Sequence, residues 1–171
     1  MSKYDFREGK KRVIEILNDE NEIQVSKVLP HEKDLSFNNG YYGWVSAIFV
    51  DIRNSTALFA ENTKTSTARI IRCFTSEIIE ILNDDSLNLR EIGIRGDCVY
   101  AIYSADTKEK DISLFEKAFT INSFITMLNS LLKVGMPKIQ AGIGIATSED
   151  LLIKAGENLA GLTVQFGLGR L

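Results

Sequence analysis

Histidine, tryptophan, proline and cysteine are all scarce in this 171-residue chain, which has one, one, two and two of them. Two cysteines, Cys73 and Cys98, cannot form a disulfide framework, and their apolar surroundings read as sites for buried free thiols. The single histidine, His31, sits beside Pro30 with no Cys or His at ligand spacing. That removes zinc-finger chemistry and any Ser/His or Cys/His nucleophilic arrangement, and leaves a solvated loop histidine. An excess of one charge is also missing. A net charge of −3 gives no electrostatic footprint for nonspecific nucleic-acid binding. No apolar run approaches the ~20 residues that span a bilayer, and the N-terminus MSKYDFREGKKR is charged from the start, so a cytoplasmic protein without a membrane partner is expected.

What is present is an ordinary globular composition, 44% hydrophobic and 25% charged, enough for one domain with a core. Its most informative stretch is Trp44 to Leu58, WVSAIFVDIRNSTAL. Trp44 to Val50 is rich in β-branched and aromatic residues and predicts a strand buried on both faces. Such a strand has no structural need for a carboxylate at its end, so Asp51 is a candidate ligand. Asn54, Ser55 and Thr56 follow as cap-type residues opening a helix, whose unpaired N–H groups would favour an anion. A second acid lies in LREIGIRGDCVYAIY, where Gly96-Asp97 between two β-rich runs predicts a hairpin turn. Asp51 and Asp97 would then stand at the ends of two strands, able to share metal ions about 3.5–4 Å apart.

Taken in order, the chain predicts a leading helix over Phe6 to Leu17 with Val13, Ile14 and Leu17 on its apolar side, then a polar arm over Asp19 to Tyr42. After the first strand come helices over Arg53 to Glu61 and Ser66 to Leu82, the second with Ile70, Ile71, Phe74, Ile78, Ile81 and Leu82 on one stripe. Asn83-Asp84-Asp85-Ser86 reads as a helix stop rather than a metal site. The hairpin follows, then a helix over Glu109 to Lys133 through Ile112, Phe115, Phe119, Ile121, Phe124, Ile125, Leu128 and Leu132, and a strand over Ile139 to Ala146. The order βααββαβ, with right-handed crossovers, predicts a ferredoxin-like α/β sandwich with helices on one face of an antiparallel-containing sheet. Residues 1–43 form the N-terminal helix and arm, 44–156 the main domain and 157–171 a tail.

AIFVDIRNSTAL, IGIRGDCVYAIYSA and IQAGIGIATSEDLLIKAG, in this order and spacing, resemble the catalytic domain of class III nucleotidyl cyclases. Most of the chain, from its N-terminus to about Gly156, resembles the bacterial pyrimidine cyclases of the Pycsar anti-phage system. The resemblance implies that Asp51 and Asp97 hold two divalent ions, Mn²⁺ or Mg²⁺, with the backbone carbonyl of Ile52 as a further ligand. It implies a triphosphate over Asn54, Ser55 and Thr56, Phe49 at the nucleotide, a homodimer, and UTP or CTP cyclised to a messenger for a cyclic-nucleotide-responsive effector. Where purine cyclases of this family carry a Lys or Glu four residues before the second metal Asp, this chain has Gly93. Arg95, on the same strand face, would reach across the space left open toward a pyrimidine carbonyl, with a core or salt-bridge role equally open to it.

The resemblance weakens at the end. GENLAGLTVQFGLGRL has no Asn-x-x-x-Arg helix of the kind the family uses to stabilise its transition state across the dimer, and its glycines make it a poor helix. A frameshift near Gly161 is one expectation, decided by the gene's nucleotide sequence, and it would leave an impaired enzyme. Two other readings stand beside the pyrimidine cyclase. One is a diguanylate-cyclase-like or other purine enzyme, disfavoured by the missing Gly-Gly-acidic turn. The other is a non-catalytic nucleotide-binding or dimerisation module.

Overall fold

In the computed structural model, which describes residues 4–20, 23–61, 63–84, 88–155 and 163–166, the apolar run ending at Asp51 becomes the centre of a sheet. It forms β2 (Gly40–Ile52), flanked by antiparallel β4 (Cys98–Ser104) and β5 (Ala141–Ala155). β3 (Leu89–Arg95) pairs with β4, β6 (Thr163–Phe166) with β5, and β1 (Ile23–Val25) runs parallel to the start of β2, giving the order β3-β4-β2-β5-β6 with β1 beside β2. The helices are α1 (Phe6–Leu17), α2 (Ser55–Glu61), α3 (Lys64–Asn83) and α4 (Lys108–Leu131). From β2 onward the elements follow the expected βααββαβ sandwich, with β6 added.

Period-two alternation decides what β2 buries. Ile48, Val50 and Ile52 face a core built with Ile70, Phe74 and Ile78 of α3 and Ile121, Phe124 and Ile125 of α4. The expectation of a strand buried on both faces is corrected: Phe49 is 45% exposed, because the long helices cover one face only, and Trp44, on the helix side but near the start of the strand, is 48% exposed. At the far end of the other face the arm supplies cover. Leu29 and Leu35 pack on Val45 and Leu152, and Arg90 donates from Nε to the Leu29 carbonyl at 2.8 Å, with the Leu29 N–H bonded to Ser104 Oγ.

The helices show where periodicity suffices. In α3, capped by Thr63 Oγ1 accepting from Ser66 N at 3.2 Å, Ile70, Phe74, Ile78 and Leu82 are buried as expected, while Ile71 and Ile81 are half-buried. Its end is tied down by the Tyr103 hydroxyl donating to the Leu82 carbonyl, and by Lys117 Nζ donating to the Ile81 carbonyl and the Asp84 carboxylate. Asp84 thus sits at the helix stop, as expected, and burial pushes the Lys117 pKa down. In α4 the expected stripe is corrected. Ile112, Phe115 and Phe119 are exposed, and the buried side runs through Leu114, Lys117, Ile121, Phe124, Ile125 and Leu128. This helix has apolar residues around most of its circumference, so spacing alone did not choose the face. Cys73 is exposed and Cys98 half-buried, a correction to both thiols: Cys73 lies between Ile70 and Phe74 but on the water side of α3.

Helix α1 has its expected bounds, with Val13, Ile14 and Leu17 exposed. Within the tail, residues 163–166 form β6, and the expectations for 156–162 and 167–171 lie outside the described residues. No described helix is long and apolar enough to cross a membrane.

Candidate active site

Strand register brings the two acids together. Asp51 is paired with Cys98, the first residue of β4, and Asp97 is the residue before it in the turn. Arg95 pairs with Cys98, so the turn has two residues, and Gly96 takes φ 67° at the first of them, a conformation that Gly adopts without strain. Ala47, Phe49 and Asp51 on β2 share the helix-free face with Cys98, Tyr100 and Ile102 on β4. The Cys98 thiol registers both acids: burial raises its pKa most, the Asp51 carboxylate adds to the rise, and Asp97 adds further. Asp51 is exposed and Asp97 half-buried, and among the described residues no hydrogen bond or ion pair consumes either carboxylate.

Beyond Asp51 the chain turns sharply. Asn54 takes φ 55°, and its carbonyl accepts from the N–H groups of Ala57 and Leu58 at 3.0 and 3.2 Å. The helix therefore begins at Ser55 rather than Arg53, correcting the expected boundary, with Asn54 and Thr56 exposed and Ser55 half-buried beside the strand tip. Arg53 folds back over β5. A Cβ added at Gly142 would lie 2.6 Å from its guanidinium atoms, and Gly142 is the partner of Asp51 on the β5 side. Across the tips of three strands the order is Asp97, Asp51, Arg53.

A cavity of about 490 Å³ extends along this face from the acids toward the arm, with Phe49, Arg95, Cys98, Tyr100, Ser148 and Asp150 in its wall. Small residues make the room: opposite Phe49 and Ala47, strand β5 presents Gly144 and Ala146, and a Cβ at Gly144 would meet nothing within 4 Å. The space at Gly93 is not open, which corrects the expectation that Arg95 reaches across it. Gly93 pairs with Tyr100, and a Cβ there would lie 2.7 Å from the Tyr100 ring and hydroxyl. That ring stacks on Phe49 with centroids 5.8 Å apart. Its hydroxyl donates to Glu91 Oε1 at 2.5 Å, and this bond, with burial second, pushes the phenol pKa up to about 12. Arg95 remains on the cavity wall nearer the acids.

The structure thus gathers Asp51, Asp97, Phe49, Gly93 and Arg95 about one end of the helix-free face, with the backbone of Ile52 at the tip of β2 and its side chain in the core, and Asn54, Ser55 and Thr56 just beyond β2. His31 lies away from them in the arm. Sequence reasoning missed Arg53, Glu91, Tyr100, Ser148 and Asp150. As for a metal, no three His, Cys, Asp or Glu side chains gather as a binding group among the described residues. Two carboxylates and a backbone oxygen are a hard, oxygen-only donor set, suited to Mg²⁺ or Mn²⁺ when a phosphate ligand and water complete the coordination.

No family model matches the chain. It is similar to a uridylate cyclase of Treponema porcinum, 48% identical over 98% of this chain and 58% of that protein. A uridylate cyclase of Gulbenkiania mobilis is 36% identical over 93% of this chain and 64% of its own length. The chain therefore spans less than two thirds of these curated relatives. Among solved structures, a class III adenylyl cyclase-like ATP-binding protein from Pseudomonas aeruginosa superposes with a TM-score of 0.69, covering 97% of this chain and 38% of that one at 15% identity. The chain carries the class III nucleotidyl cyclase fold and is homologous to the uridylate cyclases over the part of their length that it spans.

Proposed function

We propose that this chain is the catalytic domain of a pyrimidine nucleotidyl cyclase, converting UTP, or CTP, to the 3′,5′-cyclic monophosphate and pyrophosphate. The observation that carries the proposal is the pair of carboxylates, Asp51 and Asp97, that no described hydrogen bond or ion pair consumes: Asp51 is the ladder partner of Cys98, which lines the cavity, and Asp97 precedes Cys98 in the turn. Similarity to two uridylate cyclases supports the choice of base. Asp51, Asp97 and the Ile52 carbonyl would hold two divalent ions, Mn²⁺ or Mg²⁺, which when bound acidify the ribose 3′-hydroxyl and neutralise the departing pyrophosphate.

The chain's own residues do the positioning. Asn54, Ser55 and Thr56 border the triphosphate where the backbone turns out of β2, and the Arg53 guanidinium, on the side of Asp51 away from Asp97, offers donors to its oxygens. Phe49, stacked on Tyr100, forms an apolar wall for the base and excludes water from that end. No protein nucleophile is required, since the ribose hydroxyl attacks the α-phosphorus. The reading includes a cytoplasmic homodimer whose product acts on a cyclic-nucleotide-responsive effector in anti-phage defence, as the Pycsar resemblance implies.

Purified protein incubated with each of the four triphosphates and Mn²⁺ is expected to yield cUMP or cCMP, identified by mass. Asp51→Ala is expected to abolish both product and metal-dependent triphosphate binding. A purine product, or metal-dependent binding unchanged in Asp51→Ala, overturns the reading. A second reading, nucleotide binding without turnover, is favoured by the likeness to an ATP-binding cyclase-like protein. Metal-dependent binding with no cyclic product selects it.

A further inference from the structure

The Tyr100 hydroxyl has one proton, and that proton is committed. It points to Glu91 Oε1 at 2.5 Å, and the phenol stays protonated to about pH 12 because of that bond. A carboxylate can only accept, so it fixes the direction of the hydroxyl: Tyr100 gives its hydrogen to Glu91 and turns oxygen lone pairs to its other neighbours. The ring itself is held by contact with Gly93 on one strand and by stacking with Phe49 on another. Tyr100 forms part of the cavity wall. The phenol oxygen is therefore an acceptor held in one place, and the Arg95 guanidinium, on the same cavity wall as the Tyr100 side chain, is donor-only.

The two pyrimidines differ in what they offer to such a wall. Uracil presents acceptor, donor, acceptor along O2, N3–H and O4. Cytosine presents acceptor, acceptor, donor along O2, N3 and N4–H₂. An oxygen lone pair facing N3 bonds to uracil and repels cytosine, whose N3 is itself a lone pair. Cytosine could bring its N4 amine to the same oxygen only by moving its ring relative to a ribose and triphosphate anchored at Asp51 and Asp97.

We propose that Tyr100, with its hydroxyl direction set by Glu91, reads the N3–H of a uracil base and makes the site select UTP over CTP. The inference rests on the pyrimidine cyclase reading and deepens it. Glu91 is the positioning residue and Tyr100 the specificity residue.

The test uses 3′-deoxy-UTP and 3′-deoxy-CTP, which lack the attacking hydroxyl and so report base recognition without turnover. Their dissociation constants with Mn²⁺ are measured by calorimetry for the full chain, Tyr100→Phe and Glu91→Gln, with thermal unfolding confirming that each variant is folded. The wild type is expected to prefer the uracil nucleotide by about tenfold, the worth of one well-placed hydrogen bond. Tyr100→Phe is expected to lose most of that preference. In Glu91→Gln an amide can donate to the phenol oxygen, freeing the hydroxyl proton for cytosine N3, so the preference should move toward the cytosine nucleotide. A purely structural role for the Tyr100–Glu91 bond would weaken both nucleotides alike. Equal binding of both by the wild type, or a ratio unchanged in both variants, overturns the assignment of Tyr100. A ratio that changes as expected while UTP yields no cyclic product overturns the cyclase reading alone, and no binding of either nucleotide by the wild type overturns both.

Discussion

Replacing Gly142 by alanine should leave the fold intact and damage the site. The added Cβ would lie 2.6 Å from three atoms of the Arg53 guanidinium. Since carbon contacts settle near 3.5–4.0 Å, the guanidinium has to retreat by about 1 Å. It is the far end of an exposed, flexible side chain, so the retreat should cost no more than about 0.5 kcal/mol, as for a surface change. Alanine in a strand interior recovers a comparable amount, about 0.5–1 kcal/mol, relative to glycine, and Gly142 is not at positive φ. Stability is therefore expected to change little. The functional loss should be larger, because a charge-assisted contact is worth about 1.5–3 kcal/mol and a 1 Å misplacement can cost ~100-fold in rate. We expect kcat/KM for UTP, followed by pyrophosphate release, to fall roughly 10- to 100-fold in Gly142→Ala. Arg53→Ala should fall as far, and the double variant no further, since both changes remove the same contact. A Gly142→Ala protein that unfolds several degrees lower, or that turns over UTP like the wild type, would refute the placement of Arg53 against the substrate.

Two further outcomes probe the core and the cavity wall. Phe74, fully buried between α3 and the sheet, should cost about 3–5 kcal/mol when cut to alanine, read from the midpoint of urea unfolding, and a loss below 1 kcal/mol would contradict the core as described. The phenol of Tyr100 is raised from 10.0 to about 12 by its bond to Glu91. Its contribution to stability is accordingly complete below pH 10 and lost as pH rises through 12. Spectroscopic titration should show a late tyrosinate that is absent from Tyr100→Phe and moved earlier in Glu91→Gln.

The acids were legible because their signals are local. An apolar run that stops on Asp51, and a Gly-Asp pair between two β-rich runs, need no knowledge of distant contacts, and a two-residue turn fixes register on both sides. The same counting was available for Tyr100. Stepping outward from Gly96-Asp97 pairs Arg95 with Cys98 and then Gly93 with Tyr100, so the apparent gap at Gly93 was already assigned an aromatic neighbour. Arg53 was not legible. Its contact with Gly142 depends on the register of β2 against β5, two strands joined through both long helices and the hairpin, which no turn sets locally.

The misreadings of β2 and α4 share one physical cause, apolar surface that is not core. Trp44 and Phe49 on β2, and Ile112, Phe115 and Phe119 on α4, are as hydrophobic as their buried neighbours, so a pattern test that equates apolar with inside fills both faces. On β2 the exposed half has a use. With Gly144 and Ala146 lowering the neighbouring strand, Phe49 and Tyr100 stand as a wall on one side of a trough, acids at one end and the arm at the other. A fully buried β2 would have had no such trough. The charged end lies where the strand meets water and the aromatic wall lies farther along the sheet, so in the proposed reading a nucleotide would set its triphosphate and its base on one face without burying an unpaired charge.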